Sequence, residues 1–139
     1  MKDKVFLDTN ILVYAYDRHD PRKQGIAQSL LLDLVESESG ALSVQVLGEF
    51  FIVVTRHIKN PMTSDETKKA IELFSNFLIQ EIDLAMVERA IDTHKIYRIS
   101  YWDALIVSAA ERVGCKRILS EDLNDGQRYH NLAVFNPFK

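Results

Sequence analysis

The stretch KVFLDTNILVYAYD, residues 4–17, sets a carboxylate and an amide inside an otherwise apolar pattern. Val5, Phe6 and Leu7 read as a short buried strand, and Ile11, Leu12 and Val13 resume the apolar run beyond it. Asp8 and Asn10 fall between the two. Polar residues just past a wholly apolar strand belong where the chain leaves a sheet. In an open parallel sheet, that carboxyl end faces the crevice where ligands bind.

The rest of the chain fits such a sheet. PRKQGIAQSLLLDLVES reads as a helix with Ile26, Leu30 and Leu34 on one face and Pro21 in its first turn. GALSV is a second short strand. VLGEFFIVVTRHIK has helical spacing despite its β-branched residues. TSDETKKAIELFSNFL opens on a capping signal, Thr63 or Ser64 with Glu66 or Thr67 three residues on. LIQEIDL is either a strand or the tail of that helix followed by a turn. LAMVERAIDTHKIYR and SYWDALIVSAAERVG are helices, the second capped by Ser100 and closed by Gly114. KRILSEDL and LAVFNPF supply the last two strands. Strands alternating with helices imply an α/β fold with a mostly parallel sheet covered on both faces.

The bulk properties agree. The chain has 139 residues, 47% hydrophobic and 27% charged, the size and composition of one globular domain. No apolar run approaches the roughly 18 residues a membrane span needs. The three apolar residues before Asp8 are too few for a signal peptide, so the expected location is cytoplasmic. Cys115 is the only cysteine, which excludes an intramolecular disulfide and a cysteine-based metal cluster and leaves a small packed residue. The net charge of −3 argues against a protein that coats nucleic acid by basic charge alone. It does not argue against an enzyme that reaches phosphates through a metal ion, whose site requires acids.

Four acids stand in apolar company. Asp8 ends the first strand. Glu49, on a helix, shares a face with Val46, Ile52 and Val53. Asp103 shares one with Ile106, Val107 and Ala110, and Asp122 follows the strand of RILSE. Each has a structural reading when taken alone. Asp8 and Asp103 suit helix N-termini, and Asp122 suits an Asx-turn. Glu49 is harder to dismiss, because a mid-helix position offers it no backbone donor. Together, carboxylates converging on one cleft repel one another and are costly to desolvate unpaired, so they either protonate or are held ionised by a cation. An all-oxygen ligand set selects Mg²⁺ or Mn²⁺ over zinc, and such a site suits phosphate chemistry.

The motifs FLDTNIL, LGEFF, SYWDALIVSAA and LSEDLNDG, in this order, together with the closing NLAVFNPF, resemble PIN-domain ribonucleases, in particular the toxin subunits of VapBC-type toxin–antitoxin pairs. The resemblance spans essentially the whole chain, which it treats as one PIN domain over residues 1–139. It implies a three-layer α/β/α sandwich on a five-stranded, mostly parallel sheet. It also implies Mg²⁺- or Mn²⁺-dependent endonucleolytic cleavage of RNA, leaving 3′-hydroxyl and 5′-phosphate ends. By this resemblance Asp8, Glu49, Asp103 and Asp122 are the catalytic acids. Asp8, Asp103 and Asp122 are the principal metal ligands, and Glu49 acts through a water that it holds or helps to deprotonate. Asp125 supplements Asp122 in family members with a second acid in this loop. Asn10 and Ser120 match positions that orient ligands or the scissile phosphate.

Arg18, Arg22 and Lys23 in DRHDPRK, and Lys95 and Arg98 in KIYR, are the basic candidates for RNA contacts, with Tyr97 or Tyr101 stacking a base. His19, His57, His94 and His130 lack metal-ligand spacing and read as surface or capping residues. The apolar EFFIVVTRHI segment packs inside the fold or lines a groove for a small antitoxin or a second copy of the chain, with Arg56 and Lys59 at the rim. Two other functions compete. A haloacid-dehalogenase-like phosphatase needs an Asp where Asn10 stands. A non-catalytic RNA- or protein-binding module would use the acids for a stabilising cation only.

Overall fold

The computed structural model describes residues 3–139. Strands β1 (Val5–Leu7), β2 (Gly40–Ser43), β3 (Leu78–Gln80), β4 (Arg117–Leu119), β5 (Arg128–Tyr129) and β6 (Leu132–Phe135) form one sheet in the order β3-β2-β1-β4-β6-β5. All neighbours are parallel except β5 with β6. The sheet therefore has six strands where the resemblance implies five. The sixth is the two-residue β5, folded back onto β6 through His130, whose φ of 55° is left-handed. So short a strand leaves no periodicity to read.

Among the described residues there are six helices, α1 (Thr9–Tyr16), α2 (Pro21–Glu36), α3 (Val44–Arg56), α4 (Ser64–Phe74), α5 (Leu84–Tyr97) and α6 (Tyr101–Val113), of which α2, α3 and α6 pack against the sheet. α1 packs on α2 and α3, α3 on α4, and α5 on α6. Several helix ends are set as the local chemistry dictates. Pro21 starts α2, where its missing N–H costs nothing. Thr63 and Glu66 complete a reciprocal capping box at α4. Ser100 caps α6, and Gly114 closes it with a φ of 85° that a side chain would disfavour. LIQEIDL resolves as the strand β3 followed by a turn. No helix among the described residues is long and apolar enough to cross a membrane.

Phe6, Leu7, Ile11, Leu12, Leu42, Val46, Phe50 and Ile118 are wholly buried. α3 turns Val46, Phe50 and Val54 to this core, which places Glu49 and Ile52 on a neighbouring, more open face. Cys115 is buried, and burial pushes its thiol up to about 12, so it packs as a small neutral residue.

Gly40 shows how closely β2 approaches its cover. A Cβ at this position would lie 2.5 Å from the Phe77 ring and 3.2 Å from Leu34 Cβ. Gly40→Ala is expected to cost about 1–3 kcal/mol through overpacking, read as a lower urea midpoint with unchanged m-value. Unchanged stability would mean the Phe77 ring moves freely.

The strand order places β1 at the centre. The chain proceeds from β1 outward through β2 and β3, then returns across the sheet to β4 on the other side of β1. The carboxyl ends of β1 and β4 thus flank the point where the winding reverses, the usual location of a ligand crevice in open α/β sheets.

Candidate active site

The pairing of Leu7 with Leu119 brings the residues after β1 and β4 side by side. Asp8 N donates to Leu119 O at 3.0 Å. Asp8 caps α1, accepting from Thr9 N at 2.8 Å through Oδ1, while Oδ2 accepts from Ser120 Oγ at 2.7 Å. The capping role and the place in the crevice coexist in one carboxylate. Ser120 Oγ in turn accepts from the backbone N of Asp122 and of Leu123, both at 3.1 Å, and so shapes the loop that carries Asp122. The turn here is made by the serine, not by an Asx-turn at Asp122.

Asn10 ties the two strand ends together. Its Nδ2 donates to Asp122 Oδ2 at 3.2 Å and approaches Asp8 Oδ2 at 3.5 Å, while its Oδ1 accepts from Glu121 N at 3.0 Å. Glu49, half-buried on α3, accepts from Thr9 Oγ1 at 2.6 Å and from Gln45 Nε2 at 3.4 Å. Asp103 sits half-buried in the first turn of α6.

All four acids line one cleft of about 890 Å³, whose apolar lining comes from Leu47, Phe51, Ile52, Val53, Ile71 and Ile106. No lysine or arginine among the described residues lines it. Burial pushes Asp8 up to about 6; hydrogen bonds from Ser120 and Thr9 oppose the rise, and the charges of Asp122 and Glu49 add to it. Burial also raises Asp103, against a hydrogen bond with Ser100 and with a smaller push from Asp122.

Among the described residues, no three His, Cys, Asp or Glu side chains are gathered closely enough to hold a metal ion as they lie. Three of the acids are turned to neutral donors: Asp8 to Ser120, Glu49 to Thr9, and Asp122 to Asn10. The chemistry of the donor set nonetheless fits a hard divalent cation. It is all oxygen, it has no neutralising base in the cleft, and its mutual repulsion is what a cation would relieve. Gln45 Oε1 adds a buried acceptor with no partner among the described residues, because its Nε2 is committed to Glu49 and to Trp102 O at 3.1 Å.

Other expected site residues lie elsewhere. Asp125 is outside the cleft lining; its Oδ1 accepts from Asn136 N at 2.9 Å, and Lys139 Nζ is 3.6 Å from its Oδ2. Lys23 pairs with Glu121 at 2.6 Å, and Arg22 donates to Phe138 O at 2.6 Å, so both are engaged within the fold. Arg18, Lys95 and Arg98 are exposed. Tyr97 OH accepts from His130 N at 2.7 Å, and its ring packs edge-on to Tyr129 and His130. His94 Nδ1 meets Ile99 O at 2.6 Å in a capping contact. His130 is half-buried between Thr93 and Arg89, more engaged than a surface residue.

Trp102 stands next to Asp103 but outside the cleft lining. It is the only tryptophan, it precedes Asp103, and it is 61% exposed. Its ring stands edge-on to Tyr101 with centroids 5.0 Å apart.

The family model for the PIN domain matches residues 5–128. No curated protein matches the chain significantly. Among solved structures, a toxin–antitoxin complex from Klebsiella pneumoniae is similar at a TM-score of 0.70 and 19% identity, covering 96% of this chain and 98% of its own. VapBC2 from Rickettsia felis, bound to a DNA fragment from its promoter, gives 0.67 and 21%, covering 94% and 96%. Mycobacterium tuberculosis VapC20, described as a sarcin–ricin-loop-cleaving toxin, gives 0.64 and 20%, covering 86% and 90%.

Proposed function

The chain belongs to the PIN domain family, and from that premise we propose that it is a Mg²⁺- or Mn²⁺-dependent endoribonuclease, the toxin of a toxin–antitoxin pair. The observation that carries the reading is Asp8: a buried carboxylate at the point where the sheet winding reverses, facing Asp122 and Glu49 with no basic residue in the cleft lining.

Asp8, Asp103 and Asp122 supply the carboxylate oxygens for the cation, with Ser120 holding Asp8 and Asn10 holding Asp122. A bound divalent cation supplies Lewis-acid polarisation of a phosphoryl oxygen and a lowered water pKa. Glu49, oriented by Thr9, takes the proton from the attacking water as general base. As the water oxygen bonds to phosphorus, the bond from phosphorus to the 3′-oxygen of the preceding ribose breaks, and that oxygen takes a proton from solvent, giving a 3′-hydroxyl and a 5′-phosphate. The similarity to a toxin that cleaves the sarcin–ricin loop supports RNA as substrate, and the similarity to two toxin–antitoxin assemblies supports a small antitoxin as partner. The exposed Val44 and Ile52 on α3 offer an apolar surface for that antitoxin or for a second copy in a homodimer.

The test is incubation of the purified protein with a structured RNA in Mn²⁺. We expect fragments with 5′-phosphate ends, lost in EDTA and lost in Asp103→Asn. Cleavage that survives chelation would overturn the metal assignment. Fragment release by neither protein would favour a binding module.

Trp102, exposed beside Asp103, offers a base a more open ring than Tyr97, which packs on Tyr129 and His130. Stacking of a base on an exposed aromatic ring contributes about 1–3 kcal/mol. Trp102→Ala is therefore expected to raise KM by about tenfold with little change in kcat. A fall in kcat at constant KM would place the ring in the chemistry instead.

A further inference from the structure

Glu121 stands between Ser120 and Asp122, yet its side chain turns away from the acid cleft. Its Oε1 accepts from Tyr14 OH at 2.7 Å and its Oε2 pairs with Lys23 Nζ at 2.6 Å. Lys23 Nζ also donates to Tyr14 OH at 3.2 Å and lies 4.7 Å from the centroid of the Tyr14 ring and 5.7 Å from that of Phe138. The Tyr14 and Phe138 rings meet edge-on at 4.9 Å.

This is more than a surface ion pair, which contributes little on its own. Both charged side chains are only 25% exposed, and three groups close a ring of hydrogen bonds with an aromatic backing. Each anchor is itself fixed. Lys23 N is bound by the Asp20 cap of α2 at 3.1 Å, and Tyr14 belongs to α1. The backbone of the same Glu121 donates to Asn10 Oδ1, and Asn10 Nδ2 holds Asp122 Oδ2. The clamp thus grips the loop one residue from Asp122, through residues outside the cleft lining.

We propose that Tyr14, Lys23 and Glu121 form a positioning clamp that holds the 120–122 loop so that Asp122 is presented for cation binding. The clamp also fixes the Glu121 side chain on Tyr14 and Lys23, so the loop cannot shift at the residue before Asp122. The inference rests on Asp122 acting as a metal ligand.

The sign of one measurement separates positioning from charge. Removing a cationic side chain near a cation site would, by electrostatics alone, tighten cation binding. Removing a clamp member would weaken it, and lost outer-shell partners typically cost about tenfold or more in metal affinity. Calorimetric titration of Mn²⁺ into the metal-free protein is expected to show about tenfold weaker binding for Lys23→Met than for the wild type. Glu121→Gln should weaken binding similarly, and the double variant should be no weaker than the weaker single, because one unit has been broken once. Tyr14→Phe, which removes only a hydroxyl, should fall in between and guards against a folding defect; the metal-free melting temperature of each variant is the control. Equal or tighter Mn²⁺ binding by Lys23→Met, or single effects that multiply in the double variant, would overturn the clamp. A wild type that binds no Mn²⁺ would overturn the metal reading itself, and the clamp with it.

Discussion

Asp8→Asn is expected to abolish metal-dependent RNA cleavage and, in the metal-free protein, to raise stability above pH 6. The activity loss should be roughly a thousandfold, the several kcal/mol that a properly held cation contributes to charge stabilisation. The stability gain follows from the carboxyl being pushed up to about 6 in the fold, against about 3.9 in an unfolded chain. Between those values the folded protein holds a proton that the unfolded chain has lost. Wild-type stability therefore falls as pH rises from about 4 to about 6, and stays low above that. A carboxyl raised from about 3.9 to about 6 corresponds to about 3 kcal/mol. The asparagine substitution recovers only part of this, on the order of 2 kcal/mol, because Ser120 Oγ already accepts from two backbone N–H groups and is a poor partner for a new amide donor. Urea unfolding in EDTA from pH 4 to pH 8 checks it: stability relative to the variant should decline with pH in the wild type. Parallel profiles would mean that Asp8 is ionised in the fold without a cation. A group that is costly to keep without metal and essential with it is what a functional carboxylate should look like.

Phe50→Ala should be strongly destabilising. Phe50 is wholly buried on α3 and meets Phe74 edge-on at 5.1 Å and Tyr16 at 5.7 Å, joining α1, α3 and α4. Truncating a buried phenylalanine costs about 3–5 kcal/mol, a large share of the total stability of about 5–15 kcal/mol typical of a domain. Because α3 also carries Glu49 one residue earlier, the loss should reach the cleft. A denaturant midpoint that barely moves would show that α1, α3 and α4 collapse into the space.

These two residues mark how far local sequence carries. Asp8 is legible because an acid directly after a buried strand breaks a strong pattern, and the α6 caps and the Thr63–Glu66 box are legible because capping chemistry is local. α3 is legible as a helix, but its core face is not. Its spacing puts Glu49 with Val46 on one apolar face, whereas Val46, Phe50 and Val54 turn inward and Glu49 faces the cleft. Lys23 reads as a free basic residue because its partner, Glu121, is 98 positions away. The resemblance offers Asp125 as a second acid beside Asp122, and in the fold its carboxylate meets Asn136 N and Lys139. Spacing along the chain cannot report which way a loop side chain turns. Asn10 reads as either orienting a ligand or touching the substrate; its bonds to Asp122 and to the Glu121 backbone favour orientation.

That Asp8, Asp103 and Asp122 share a divalent cation is tested most directly by anomalous diffraction from a Mn²⁺-soaked crystal. One strong peak is expected in the cleft, within about 2.0–2.3 Å of carboxylate oxygens of Asp8 and at least one of Asp103 and Asp122. A cleft without a peak, or a Mn²⁺ ion held only by acids outside it, would contradict the shared site.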